Sequence, residues 1–134
     1  MENNTGNQRI SARQFLPGIA WFCFVLILLC LPGEDLPKAD NWMQRIYFDK
    51  WVHTFLFGTL SFLFMQPVVN SGFDIPRKRR LSGMIAASAI LWGITTEFIQ
   101  LLFISGRSFD LGDWAGDSTG AILALIINLL RLRA

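Results

Sequence analysis

LSGMIAASAILWGITTEFIQLLFI, residues Leu81–Ile104, is the stretch that decides the fold. Its one charged side chain is Glu97. Crossing a bilayer core takes roughly 17–25 residues of apolar helix, and the stretch fits that length. Outward from it lie three further apolar blocks, Phe15–Leu31, Trp51–Val69 and Trp114–Leu130. The outer two sit at the short end of the range, so their helices should continue into the flanks. The reading is an all-α polytopic membrane protein with four transmembrane helices. A short tail covers residues 1–14, and one four-helix domain covers 15–134. The composition agrees: 52% of residues are hydrophobic and 16% charged, with a mean hydropathy of +0.40. A soluble domain of this size would need more polar surface.

Orientation follows from where the charges sit. If the spans alternate, Arg9, Arg13, the run Arg77-Lys78-Arg79-Arg80, Arg131 and Arg133 share one side. Lys38, Arg45, Lys50, Arg107 and most of the acids take the other. Cationic loops stay on the cytoplasmic side, which puts both termini in the cytoplasm. The tetrabasic run is a topology anchor on anionic head groups; nucleic-acid binding is not expected. The first block is an uncleaved span, because no small-residue cleavage site follows Cys30-Leu31-Pro32-Gly33. Cys23 and Cys30 are ~10 Å apart along one helix, too far to pair, and are expected as packing residues.

The loops carry further signals. Pro32, Gly33 and Pro37 end the first span, and Trp42, Tyr47, Phe48 and Trp51 suit a stretch lying at the outer interface. Asn70-Ser71-Gly72 and Pro76 are expected to close the second span. The short loop from Ser105 to Asp113 makes the last two spans antiparallel neighbours. Gly116 and Gly120, four apart, suit close approach of another helix.

The residues that need a reason are the ionisable ones in or near hydrocarbon, where a charge costs at least ~2.5–3.5 kcal/mol. Asp49, Lys50 and His53 open the second span, and Glu97 and Gln100 lie late in the third. Arg107, Asp110 and Asp113 occupy the last loop, with Asp117 one turn into the fourth span. A rise of 1.5 Å per residue puts Glu97 ~10 Å deep and His53 shallower, all in the outer half. Asp49 with His53 and Asp113 with Asp117 are four apart, and Glu97 with Gln100 three apart, so each pair shares a helix face. Nothing comparable marks the cytoplasmic half. The set Asp49, Lys50, His53, Glu97, Gln100, Arg107, Asp113 and Asp117 is therefore expected to form one outward-opening ligand site. Lys50 and Arg107 suit phosphate. Glu97 needs either a proton or a cationic partner. If the site is catalytic, His53 and Glu97 are the candidates, although no activated nucleophile accompanies them. No cofactor is expected, and no metal, since HExxH and Cys/His spacings are missing. Each residue alone also fits a bland role as helix glue.

The pattern Asp49-Lys50-x-x-His53 with Phe57, then Glu97-x-x-Gln100, then Gly106-Arg107-x-Phe109 leading to Asp113 and Gly120, resembles the VanZ-like family of small bacterial membrane proteins. The Leu31-Pro32-Gly33 and Leu36-Pro37 pieces are similar too, while Asp117 stands where members often carry Asn. The resemblance implies a four-helix protein of the bacterial cytoplasmic membrane whose shared polar residues are those above. The family's namesake confers teicoplanin resistance. Binding or modulation of an anionic lipid, or of a lipid-linked cell-wall precursor, is the expected function. An enzyme acting on a lipid head group is the alternative, and a helper subunit docking a larger membrane partner or a second copy is a third.

Overall fold

The computed structural model describes residues 9–33 and 41–133. The tail before Arg9 and the Leu36-Pro37 and Lys38 positions lie outside the described residues. Among those described, every regular element is helical. A 3-10 turn, Ala12–Phe15, runs into α1, Leu16–Leu29. A short α2, Asn41–Arg45, precedes α3, Phe48–Val69, α4, Ile75–Phe103, and α5, Leu111–Arg131. By length and composition, Ala12–Leu29, Phe48–Val69 and Ile75–Phe103 can each cross a membrane. The remaining long helix, α5, is not among them and carries Asp113, Asp117 and Asn128.

Local chemistry accounts for the helix ends. Tyr47, the N-cap of α3, takes a left-handed conformation with φ 53°, and α3 starts at Phe48, ahead of the expected Trp51. Pro76 opens α4 and does not close α3: it sits in the first turn, where its fixed φ suits a helix and its missing N–H costs nothing. The basic run Arg77–Arg80 is consequently helical. At 29 residues α4 is ~44 Å long, more than a ~30 Å hydrocarbon core, so its basic end reaches beyond the apolar zone. Asp110 caps α5, its side chain accepting the Gly112 N–H at 2.7 Å.

Burial is inverted relative to a soluble bundle. Leu16, Ile27, Phe55, Leu91, Leu102 and Ile126 are exposed, whereas His53, Ser61, Ser82, Thr96, Glu97, Gln100, Asp117 and Asn128 are buried. Apolar side chains turned outward around polar ones suit hydrocarbon as the surrounding medium. This is a helical membrane protein.

Helices α3 and α5 form the centre of the bundle, and α4 packs on both. Their close crossing depends on glycine. A Cβ on Gly120 would collide with the Thr54 carbonyl oxygen, and one on Gly116 would lie 2.8 Å from the Lys50 carbonyl oxygen. Thr54 spans this crossing, its hydroxyl donating to the carbonyls of Lys50 at 2.9 Å and Gly116 at 3.1 Å. Trp114 Nε1 donates to the Ile90 carbonyl at 3.0 Å, tying α5 to α4. The outer helix α1 rests mainly on α3 through Val25, Leu29, Leu56 and Phe57, with Trp21 Nε1 donating to the Leu56 carbonyl at 3.0 Å. Cys23 and Cys30 are both free and exposed on α1, so they face outward and are not packing residues.

Candidate functional site

The antiparallel arrangement brings the starts of α3 and α5 and the finish of α4 to one end of the bundle. Two layers of polar side chains meet there. The outer layer is built on Lys50, whose ammonium donates at 2.7 Å to each of Asp49, Asp110 and Asp113. Side-chain exposure is graded across it: 59% for Asp49, 46% for Asp110, 24% for Lys50 and 14% for Asp113. Gly112 makes room for the lysine, since a Cβ there would lie 2.7 Å from Lys50 Cε.

The inner layer is His53, Glu97 and Asp117, all buried. His53 Nδ1 is 2.8 Å from Asp117 Oδ1, and His53 Nε2 is 3.6 Å from Asp113 Oδ2, which links the two layers. Glu97 Oε2 accepts the Asp110 backbone N–H at 2.8 Å. Its direct partner is thus a peptide N–H and not a cation. Ligand atoms of His53, Glu97 and Asp117 all lie within 4.8 Å of one another. Two buried carboxylate oxygens, Glu97 Oε1 and Asp117 Oδ2, have no hydrogen-bond partner among the described residues. Gly93 on α4 admits the aspartate: a Cβ there would lie 2.9 Å from Asp117 Oδ2.

Of the residues singled out in the sequence, Asp49, Lys50, His53, Glu97, Asp113 and Asp117 do come together. Asp49 and His53 do not act as one face, because Asp49 is exposed and joins Lys50 while His53 turns inward. Gln100 leaves the set: its amide donates to the Leu29 carbonyl at 3.0 Å and clasps the end of α1. Arg107 also stands apart, its Nε donating to the Leu31 carbonyl at 3.4 Å, with no ion pair among the described residues. The expected convergence of His53, Glu97 and Arg107 is therefore not made through Arg107.

Asp110 was not among the expected ligand-site residues, yet it connects the layers. Its N–H holds Glu97, Oδ1 takes the Gly112 N–H, and Oδ2 takes Lys50. The lysine hydrogen bond holds the Asp110 carboxyl below the usual carboxylate range, against partial burial, with the Gly112 N–H adding to the effect. An Asp at the start of a helix is a readable N-cap, and that signal could have pointed to it. The opposite end is not bare either. Gln66 donates to Asn128 Oδ1 at 3.1 Å, and Arg131 donates to Gln66 Oε1 at 2.9 Å, so two amides and a guanidinium build a second polar clasp there.

The chain is similar to an uncharacterized protein of Schizosaccharomyces pombe, 34% identical over 114 residues that cover 84% of this chain and 62% of the relative. The chain thus spans less than two thirds of that relative's length. No family model matches the sequence. No solved structure matches it.

Proposed function

We propose that the chain is a four-span membrane protein, α1, α3, α4 and α5 crossing with both termini cytoplasmic, that binds the anionic head group of a membrane lipid at its outer end. The observation that carries this reading is the unequal pairing of the two cations there. Lys50 is saturated by three carboxylates, whereas Arg107 spends one N–H on a carbonyl and, among the described residues, pairs with no carboxylate, so its planar fork suits a phosphate. Exposed Trp42, Tyr47 and Trp51 beside α2 and the start of α3 fit a head-group layer. The VanZ-like resemblance would make the ligand a lipid-linked cell-wall precursor of a bacterial inner membrane, with teicoplanin resistance as one outcome. The yeast relative extends the comparison beyond bacteria, so the proposal rests on the shared chemistry, a phosphate-bearing head group.

Topology is checked by reporter fusions. Fusions after Gly72 and Arg133 should read cytoplasmic and a fusion after Gly106 external, because the basic run flanks the first of these loops. An external reading at Gly72 reverses the orientation.

Ligand preference is checked with the full chain in nanodiscs of mixed phosphatidylglycerol and phosphatidylcholine, counting retained lipids by native mass spectrometry. The wild type should retain the anionic lipid selectively. Arg107→Ala should lose most of that selectivity and Arg107→Lys recover part of it, with unchanged melting temperatures. Selectivity intact in Arg107→Ala overturns the reading.

A second reading, acid–base catalysis on the bound head group, draws on the 2.8 Å contact that orients the His53 ring against Asp117. His53→Gln separates the two: head-group binding survives it, while turnover does not.

A further inference from the structure

Beneath the head-group layer, His53, Glu97 and Asp117 present a problem of charge. Two carboxylates and an imidazole are buried together with no lysine or arginine among them. Helix glue would pair both oxygens of a buried carboxylate, since leaving one unpaired is expensive. Here the His53–Asp117 and Glu97–Asp110 contacts use one oxygen of each carboxylate, leaving Glu97 Oε1 and Asp117 Oδ2 without partners. The space is also prepared: Gly93 stands where any side chain would displace Asp117. The trio is assembled from three different helices, so its convergence is a property of the whole bundle.

From this juxtaposition we propose that His53, Glu97 and Asp117 form a binding site for a single divalent transition-metal cation. One dication with two carboxylates and a neutral imidazole sums to zero charge, the least costly state in a low-dielectric interior. The 2.8 Å between His53 Nδ1 and Asp117 Oδ1 is close to the ~3 Å separating neighbouring donors that each lie ~2.0–2.2 Å from one ion. The remaining atoms need to close in only modestly from within 4.8 Å. One nitrogen and two carboxylates suit Mn²⁺ or Zn²⁺ better than Ca²⁺, which takes six to eight oxygens. The Asp110 N–H on Glu97 orients a ligand carboxylate as an outer-shell hydrogen bond does. Asp113, 14% exposed and 3.6 Å from His53, connects the acidic rim to the buried trio. The site lies beneath the proposed head-group layer and does not depend on that layer's ligand.

The test uses the full chain in a neutral detergent, stripped with a chelator and re-equilibrated with Mn²⁺ alone, free ion being followed by its electron paramagnetic resonance. One equivalent should bind per chain, Zn²⁺ should displace it, and millimolar Ca²⁺ should not. Asp117→Asn and Glu97→Gln should each weaken binding at least tenfold. Asp49→Asn, which alters the outer acidic group, should leave it within twofold. If a variant fails to fold, X-ray absorption on the Zn²⁺-loaded wild type should still show one imidazole nitrogen with carboxylate oxygens. Binding below a tenth of an equivalent overturns the proposal. So does binding lost in Asp49→Asn but kept in Asp117→Asn, which would put the ion on Asp49, Asp110 and Asp113. Lipid selectivity measured with and without chelator then reports on the head-group reading separately.

Discussion

Gly120→Leu abolishes folded protein. The Cβ alone would collide with the Thr54 carbonyl oxygen, and would lie 2.7 Å from the Gly58 backbone nitrogen. These are main-chain atoms in the middle of α3, so no rotamer change can relieve the overlap. The two helices must move apart, which breaks the Thr54 hydrogen bonds to Lys50 and Gly116 and opens the gap between His53 and Asp117. Gly120→Ala, with the smallest possible side chain, should already cost ~1–3 kcal/mol by overpacking. The matched control is Gly83→Ala, whose added Cβ meets no atom within 4 Å. It should be neutral, or stabilising by up to ~1 kcal/mol through helix propensity. Thermal unfolding in detergent, read by retained monodisperse protein, distinguishes the three. Gly120→Leu melting with the wild type would mean that the α3–α5 crossing is not the centre of the fold.

Lys50→Met has the next largest effect. It leaves Asp49, Asp110 and Asp113 without the ammonium they share. Exposed pairs are worth ~0–1 kcal/mol, and stranding a buried charge costs ~3–5 kcal/mol. Asp113, the least exposed of the three, dominates, so a loss of ~2–3 kcal/mol is expected. Adding Asp113→Asn should restore much of it, a coupling that a double-mutant cycle measures directly. The pH dependence has a definite sign. The folded-state pKa of Asp110 is lowered, so its stabilisation is complete above the ordinary carboxylate pKa. It is lost as pH falls through the lowered folded value. In Lys50→Met the lysine bond that lowers the Asp110 pKa is gone, so the gap between variant and wild type should narrow on acidification. A gap that widens on acidification would show that Lys50 does not stabilise the acids as charged groups.

The four long helices were legible because hydrocarbon length and charge exclusion act on every residue in a span. Their starts were less so. Pro76 reads equally as a breaker after α3 or an opener of α4, and only its place relative to Asp74 resolves the choice. Within the site, Lys50, His53, Glu97, Asp113 and Asp117 stood out because a charge at depth needs a partner. Arg107 and Gln100 were grouped with them as polar residues near the same end, but they spend hydrogen bonds on backbone carbonyls of Leu31 and Leu29. No pattern in a sequence distinguishes a carbonyl partner from a carboxylate one. The clasp of Gln66, Asn128 and Arg131 escaped notice because amides carry no charge and read as ordinary interruptions. Glycine gave the most underused signal: Gly93, Gly112 and Gly116 each stand against a site residue.

The loose seating of α1 bears on how the protein is made. Helix α1, made before α3 and α4, has its principal support in α3, and a cleft of about 500 Å³ edged by Phe22, Phe64, Met84 and Trp92 lies along its flank toward α4. The bonds that fasten its far end come from the end of α4 and the residues just after it: Gln100 donates to the Leu29 carbonyl, and the Gly33 N–H donates to the Ser105 carbonyl at 3.1 Å. During biogenesis α1 can therefore settle on α3 first, and its far end is fastened only once the end of α4 has been made. The last fastening of α1 thus runs backwards along the chain, from α4 onto a helix made before it.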